Sequence, residues 1–483
     1  MSRARIAVGA LLALLALASA RDLARLGSAS PWNDMAEFAD FYCAGSVLNA
    51  GASPYLYEPL HACEHRVAGT GSFRSGVFRS DPALAVPVPQ PAYDFAPFAG
   101  LAMLPYAQAR AAYGAAILAA VALCALALWG TGVALDLAAA ALVLSTAYAS
   151  LETAQIVPFA LLALTLCGLA LARGRDWLAG IAAACALVEP TAGVPVVAAV
   201  LIFVPRARVA AVATGLALAA VAWRVAGAHT LQTYLTAVLP AHAGSELAFP
   251  FQYSLTYALA AIGASPVAAR AAGAISYVAV LALGLWIAPA AARRFGRPEL
   301  LVFVPALCAV IGGPFVHQEE LCFALPAALV LASGARGRAR NVGAAALCTL
   351  AIPWIALWGH KQLFLAAIFV CALILARLRV SIVPAAVTLC SIAAALYLFE
   401  LQPPHLPVPP SVPASVYAPG ELTEREWRDY TASRSTNDPL WFAVKIPAWA
   451  ALIALLTVAA RAGATDQPES AEGRRLASIS RRI

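Results

Sequence analysis

Residues 175–206 read RDWLAGIAAACALVEPTAGVPVVAAVLIFVPR. Both ends are basic, and basic clusters between apolar runs lie on the cytoplasmic side of a membrane. A chain between two cytoplasmic ends must cross an even number of times. Glu189-Pro190 divides this stretch into two arms of about fourteen residues, or about 21 Å of helix each, against roughly 30 Å of hydrocarbon core. Such a hairpin turns before it reaches the far surface. Broken backbone at that depth is tolerated only where protein or water satisfies it, so the apex is expected to line an outward-facing cavity. The same arithmetic applies to 297–336, whose apex reads Gly313-Pro314-Phe315-Val316-His317-Gln318-Glu319-Glu320.

The rest of the chain agrees. Of 483 residues, 62% are hydrophobic and 12% charged, with a mean hydropathy of +0.78, where a soluble protein carries about 25% charged residues. The composition predicts an all-α polytopic integral membrane protein with about twelve to fourteen transmembrane or membrane-embedded helices. Long unalternating apolar runs exclude a barrel. The net charge of +7 resides in arginine clusters that set topology, so no nucleic-acid partner is expected. No Walker pattern points to a nucleotide.

One membrane domain is expected over 1–462, with outer segments at 22–94, 227–252 and 399–439 and a disordered cytoplasmic tail at 463–483. The N-terminal apolar run 6–20 ends in Ala18-Ser19-Ala20, which has the look of a signal-peptidase site; an uncleaved first span is the preferred reading. Eight of ten cysteines fall in apolar runs as packing residues. Cys43 and Cys63 lie in the first outer segment, on the oxidising side, where a disulfide and two buried thiols are both open readings.

The first outer segment carries a helical pattern at 33–50, with Phe38, Phe41, Tyr42, Gly45 and Leu48 at three-to-four spacing and Gly51 as terminator. Asp34, Glu37 and Asp40 recur every three residues on one broad side. They read either as the wet face of an interfacial helix or as a positioned base. In the third outer segment a proline-rich run, 403–413, precedes Thr423-Glu424-Arg425-Glu426, a capping-box pattern opening a short helix.

Several pieces in order resemble a known family. Asp40-Phe41-Tyr42-x-Ala44-Gly45 followed by Gly51-x-x-Pro54-Tyr55 resembles the first-loop signature of glycosyltransferase family 87, polyprenol-phosphate-mannose-dependent mannosyltransferases of the GT-C superfamily. Pro91-Ala92-Tyr93, Leu104-Pro105, Gln155, Ala179-Gly180 with Glu189-Pro190, Gln252 with Ser254, and Pro314 with His317 continue the resemblance over about 35–330. Three positions depart from it. Ala154 replaces a glycine, Glu189 replaces a lysine, and Phe251-Gln252-Tyr253-Ser254 stands where the family has Asn-Gln-Ser.

The resemblance implies Asp40 as general base and His317 as a substrate or phosphate contact. Transfer from a lipid-phosphate sugar needs one carboxylate to take the acceptor's proton and donors to neutralise the departing phosphate; single displacement inverts the anomeric centre. The candidate substrate contacts are Glu37, Tyr42, Tyr55, Gln155, Glu189, Gln252, His317 and Glu320, and the candidate phosphate contacts are Arg224, His360 and Lys361. No metal is expected at His317, Glu319 and Glu320, which lack further His or Cys ligands. His61-Ala62-Cys63-Glu64-His65 reads as a solvated helix face.

The expectation is therefore a transferase on the outer face of the cytoplasmic membrane, with no cofactor. Its partners would be membrane lipids, a polyprenyl-phosphate sugar and a glycolipid or glycan acceptor. The rival readings are a lipid-linked-sugar flippase or transporter, and another GT-C branch such as an arabinofuranosyltransferase. A transporter carries polar positions through the depth of several spans, whereas here they gather at the outer ends.

Overall fold

Segments without water must close their backbone hydrogen bonds internally, and the described chain does so as helices. The computed structural model describes residues 3–25, 31–68, 83–357, 360–408, 412–436 and 438–461. The tail expected at 463–483 and residues 69–82 of the first outer segment lie outside the described residues. Among those described there is no strand, only an isolated antiparallel bridge between Leu56 and Leu422.

Among the described residues, six helices are long and apolar enough to cross a membrane: Tyr106–Gly130, Leu135–Thr153, Pro205–Ser245, Pro266–Phe295, Ile382–Leu401 and Leu440–Arg461. Four shorter apolar ones accompany them, Val157–Ala172, Asp176–Val188, Pro190–Phe203 and Leu300–Gly312. The short helices hold the centre. Leu300–Gly312 and Leu325–Gly334 are buried on almost every side, and Gly168 lets Phe303 approach where a Cβ would meet its ring at 2.3 Å. The long helices Pro205–Ser245 and Ile382–Leu401 form the periphery, with Val209, Leu216, Trp223, Ile382 and Val383 exposed. Apolar side chains turned outward on all-helical walls are what a lipid-facing perimeter requires.

The expected short hairpin forms. Asp176–Val188 and Pro190–Phe203 meet at Glu189. Tyrosine hydroxyls satisfy the broken backbone there: Tyr93 donates to the Leu187 carbonyl at 2.6 Å and Tyr277 to that of Thr191 at 3.0 Å. At the second apex Gln252 Oε1 accepts from Val316 N (3.0 Å), and Gln318 Oε1 accepts from the amides of Ile355 and Ala356.

Three local expectations need correction. The segment expected as a loop at 227–252 stays helical to Ser245. The helix Pro205–Ser245 is broken at Gly227, whose φ is 75°. The helix expected at 33–50 is two pieces, Pro31–Asp34 and Phe38–Asn49, parted at Met35 with φ 38°. Phe38–Asn49 has no wet face at Asp40. It packs against Tyr57–Ala68 and Phe95–Leu101, is tied to the former by the Cys43–Cys63 disulfide, and meets the Phe98 backbone at Gly45, where a Cβ would lie 2.3 Å from the carbonyl oxygen.

Finally, the helix Thr423–Ser433 forms without its capping box. Thr423 Oγ1 donates to the Tyr55 carbonyl at 3.2 Å, and Glu426 accepts from Ala85 N at 3.2 Å. Both capping side chains bind the first polar segment instead.

Candidate active site

The polar ends of these elements converge on one cluster of carboxyls around His317. His317 is carried by the second apex, and its amide donates to Glu320 Oε2 at 2.7 Å. Its Nε2 lies 3.2 Å from Glu246 Oε2, which also accepts from Gln252 Nε2 at 3.0 Å. That shared acceptor explains why the Gln252 and His317 nitrogens sit only 3.0 Å apart. Glu320 in turn shares a hydrogen bond with Glu189 of the first hairpin. Both apices therefore meet, as the hairpin arithmetic requires.

Electrostatics sort the members into roles. Burial opposes the charge on Glu246, but the hydrogen bond and charge of His317, with His242 and Trp427, outweigh it and hold the carboxyl down at about 2. Burial likewise opposes the charge of His317, yet Glu246, Glu320 and Glu319 raise it to about 10. The pair is an imidazolium–carboxylate at neutral pH. Nε2 of His317 is committed to Glu246, its Nδ1 makes no hydrogen bond among the described residues, and 38% of its side chain stays accessible. It is a cation that can still meet a ligand.

The first polar segment supplies the other wall. Gln155 Nε2 donates to Glu37 Oε2. Burial, then the charge of Glu319, raises Glu37 to about 8 against the opposing pull of His317. One turn on, Asp40 is 2% exposed and neither of its carboxyl oxygens has a hydrogen-bond partner among the described residues. Burial pushes it well above the usual carboxylate range, and Glu64 and Glu37 push it further.

Glu64, expected on a solvated face, is fully buried and accepts from Val86 N at 3.2 Å. Residues 83–88 cover that face of its helix, which the local sequence could not announce. The neighbouring His61 and His65 rings lie 4.0 Å apart, tilted by 39°. No group of three or more possible metal ligands occurs among the described residues.

Thus Glu37, Gln155, Glu189, Gln252, His317 and Glu320 come together, with Asp40 adjoining through Glu37. The other candidates stand apart or are committed elsewhere. Tyr42 and Tyr55 donate their hydroxyls to the carbonyls of Leu104 (2.9 Å) and Gln90 (3.0 Å). Arg224 is exposed on the peripheral helix Pro205–Ser245, without an ion pair among the described residues. His360 lies 3.3 Å from Glu152, and Lys361 3.5 Å from Glu400, so each already faces an acid.

Three members were missed. Asp94, 3% exposed, with Oδ2 unpartnered, directly follows the Pro91-Ala92-Tyr93 motif. Glu246 is the one acid in 227–252. Both were findable on those grounds. Trp427, whose indole N–H donates to Glu246 Oε1 at 2.5 Å, carried no signal.

An all-helical, multi-pass membrane protein with buried carboxyls and a paired histidine gathered where its short hairpins turn has the build of a membrane-embedded transferase. Residues 89–316 match the model of glycosyltransferase family 87, the family the sequence resembles, and the chain is a membrane glycosyltransferase. Gln155, Glu189, Glu246 and Gln252 lie inside the match; Glu37 and Asp40 precede it, and His317 follows it by one residue. No curated protein and no solved structure matches the chain significantly.

Proposed function

We propose that the protein transfers a hexose, mannose in the first instance, from a polyprenyl-phosphate carrier to a hydroxyl of a glycolipid or glycan, by inverting single displacement at the outer face of the cytoplasmic membrane. The observation that carries this reading is Asp40: a buried carboxyl with both oxygens unpartnered, one helical turn from Glu37 and acted on by the charges of Glu64 and Glu37. A carboxyl whose pKa is raised toward the working pH is a better proton acceptor than an ordinary one. Asp40 takes the proton of the acceptor hydroxyl as that oxygen attacks the anomeric carbon, and the bond to the carrier phosphate breaks on the opposite side.

The departing phosphate needs a positive partner. His317, held as imidazolium by Glu246, is that partner, and its free Nδ1–H gives a charge-assisted hydrogen bond. This answers the substitution of lysine by Glu189. The many carboxyls do not repel the phosphate as their number implies, because burial raises Glu37 to about 8 and so keeps it largely protonated near neutrality. A protonated carboxyl donates a hydrogen bond to a phosphate or sugar oxygen.

The test is transfer by the purified protein from a panel of donors, with the product's anomeric configuration read by NMR. The account expects mannose to move from the polyprenyl-phosphate donor with inversion and not from a nucleotide sugar. Retention of configuration, or use of the nucleotide donor alone, would overturn it.

A further inference from the structure

Helix Thr423–Ser433 lies far beyond the matched segment, yet it is fastened to the site from three sides. Thr431 Oγ1 donates to the Ser245 carbonyl at 2.7 Å. Thr423 and Glu426 bind Tyr55 and Ala85 as described above. Between these anchors stands Trp427, its ring stacked on Tyr430 at 5.2 Å and edge-on to Phe249 at 5.8 Å. Its indole N–H ends on Glu246 Oε1, while Gln252 and His317 converge on Oε2. Three donors arriving from three elements leave the carboxylate no freedom to turn.

We propose that Trp427 is a positioning residue of the transferase site: by locking Glu246 from behind, it fixes the His317 ring with Nδ1 presented to the substrate. The proposal rests on the reading of His317 as a donor contact. It makes the third polar segment a working part of the site rather than a surface strap. Preorganised donors contribute to rate only while their geometry is held, so losing the indole N–H loosens the ring without removing any group that touches substrate.

The experiment is a double-mutant cycle in full-length protein reconstituted in nanodiscs, with W427F, E246Q and the combined variant. Phenylalanine keeps an aromatic ring against Tyr430 and removes the donor, and the E246Q background separates that loss from the change in ring size. The readouts are transfer kinetics and the titration of His317, followed by NMR of histidine-labelled protein and assigned by the signal lost in H317Q.

In the wild-type background W427F is expected to lower kcat about 10- to 100-fold. In the E246Q background it should cost less than about threefold, because contacting residues are non-additive. The freed Glu246 pairs less well with the imidazolium, so the His317 titration falls from about 10 by about one unit, a tenfold loss of proton affinity. That shift should be absent when E246Q is already present. W427H, which restores a ring N–H, should recover part of both effects.

An equal cost in the two backgrounds with an unmoved His317 titration would overturn the proposal and leave Trp427 a packing residue. If the wild-type protein transfers no sugar from a lipid-phosphate donor, the functional reading fails. The titration then still decides the link between Trp427 and His317.

Discussion

Asp40 titrates among other acids, and that makes its role measurable. The base must be ionised, so activity appears as pH rises through the raised pKa of Asp40 and is lost below it. The charge of Glu64 contributes to that elevation. In Glu64→Gln the like charge is gone, the Asp40 pKa drops, and the acid limb of the kcat/KM profile moves to lower pH; a limb that stays in place separates Asp40 from the rate.

Ala154 offers a second test. It sits at φ 64°, ψ 34° at the end of its helix, a conformation that costs a residue with a Cβ roughly 1–2 kcal/mol and glycine almost nothing. The glycine that the resemblance places before Gln155 would escape this cost. Ala154→Gly is expected to stabilise the protein by about 1 kcal/mol, read as a higher thermal midpoint; a lower midpoint would contradict the strain. Residues such as His317 and Gln252 were legible because each stands in an ordered motif. Trp427 was not, because the partner of its indole N–H lies 181 residues away.

At the scale of elements, the hairpins were legible because helix rise and bilayer thickness are fixed lengths, so two arms of about fourteen residues can turn only inside the membrane. The reading of 33–50 failed for the complementary reason. Acids spaced every three residues mark one side of a helix, but only the partner element decides whether that side is wet, and here Tyr57–Ala68 covers Asp40. The capping box failed similarly, since Thr423 and Glu426 found longer-range partners in Tyr55 and Ala85.

The Cys43–Cys63 disulfide joins Phe38–Asn49 to Tyr57–Ala68 and thereby sets Asp40 against Glu64. It spans 20 residues, a loop for which cross-linking contributes about 3 kcal/mol. The Cys43→Ala, Cys63→Ala double variant should lose about that much stability and lower kcat with it. Unchanged activity under full reduction would show that the two helices hold their register without the bond.

Across the whole molecule, the polar interior makes stability depend on pH. Glu37 and Glu424 titrate at about 8, each raised chiefly by burial from 4.5. They bind protons more tightly folded than unfolded, so their contribution is complete below 4.5 and is lost as pH rises through 8. His317, raised to about 10 from 6.5, acts in the same sense, its share being lost as pH rises through 10. Glu246, held near 2, contributes above 4.5 and loses its share only as pH falls toward 2. Between pH 5 and 9 the thermal midpoint should therefore fall, with a shallower slope in Glu424→Gln; a midpoint that rises over this window contradicts the burial of these acids.

The proposed role of Asp40 is that of the base that drives the transfer. Its most direct test is the turnover of Asp40→Asn beside wild type with polyprenyl-phosphate mannose as donor, the fold being checked by an unchanged thermal midpoint at low pH. A loss of about 10²- to 10⁴-fold in kcat is expected, the range for removing a positioned base. Turnover equal to wild type would contradict it.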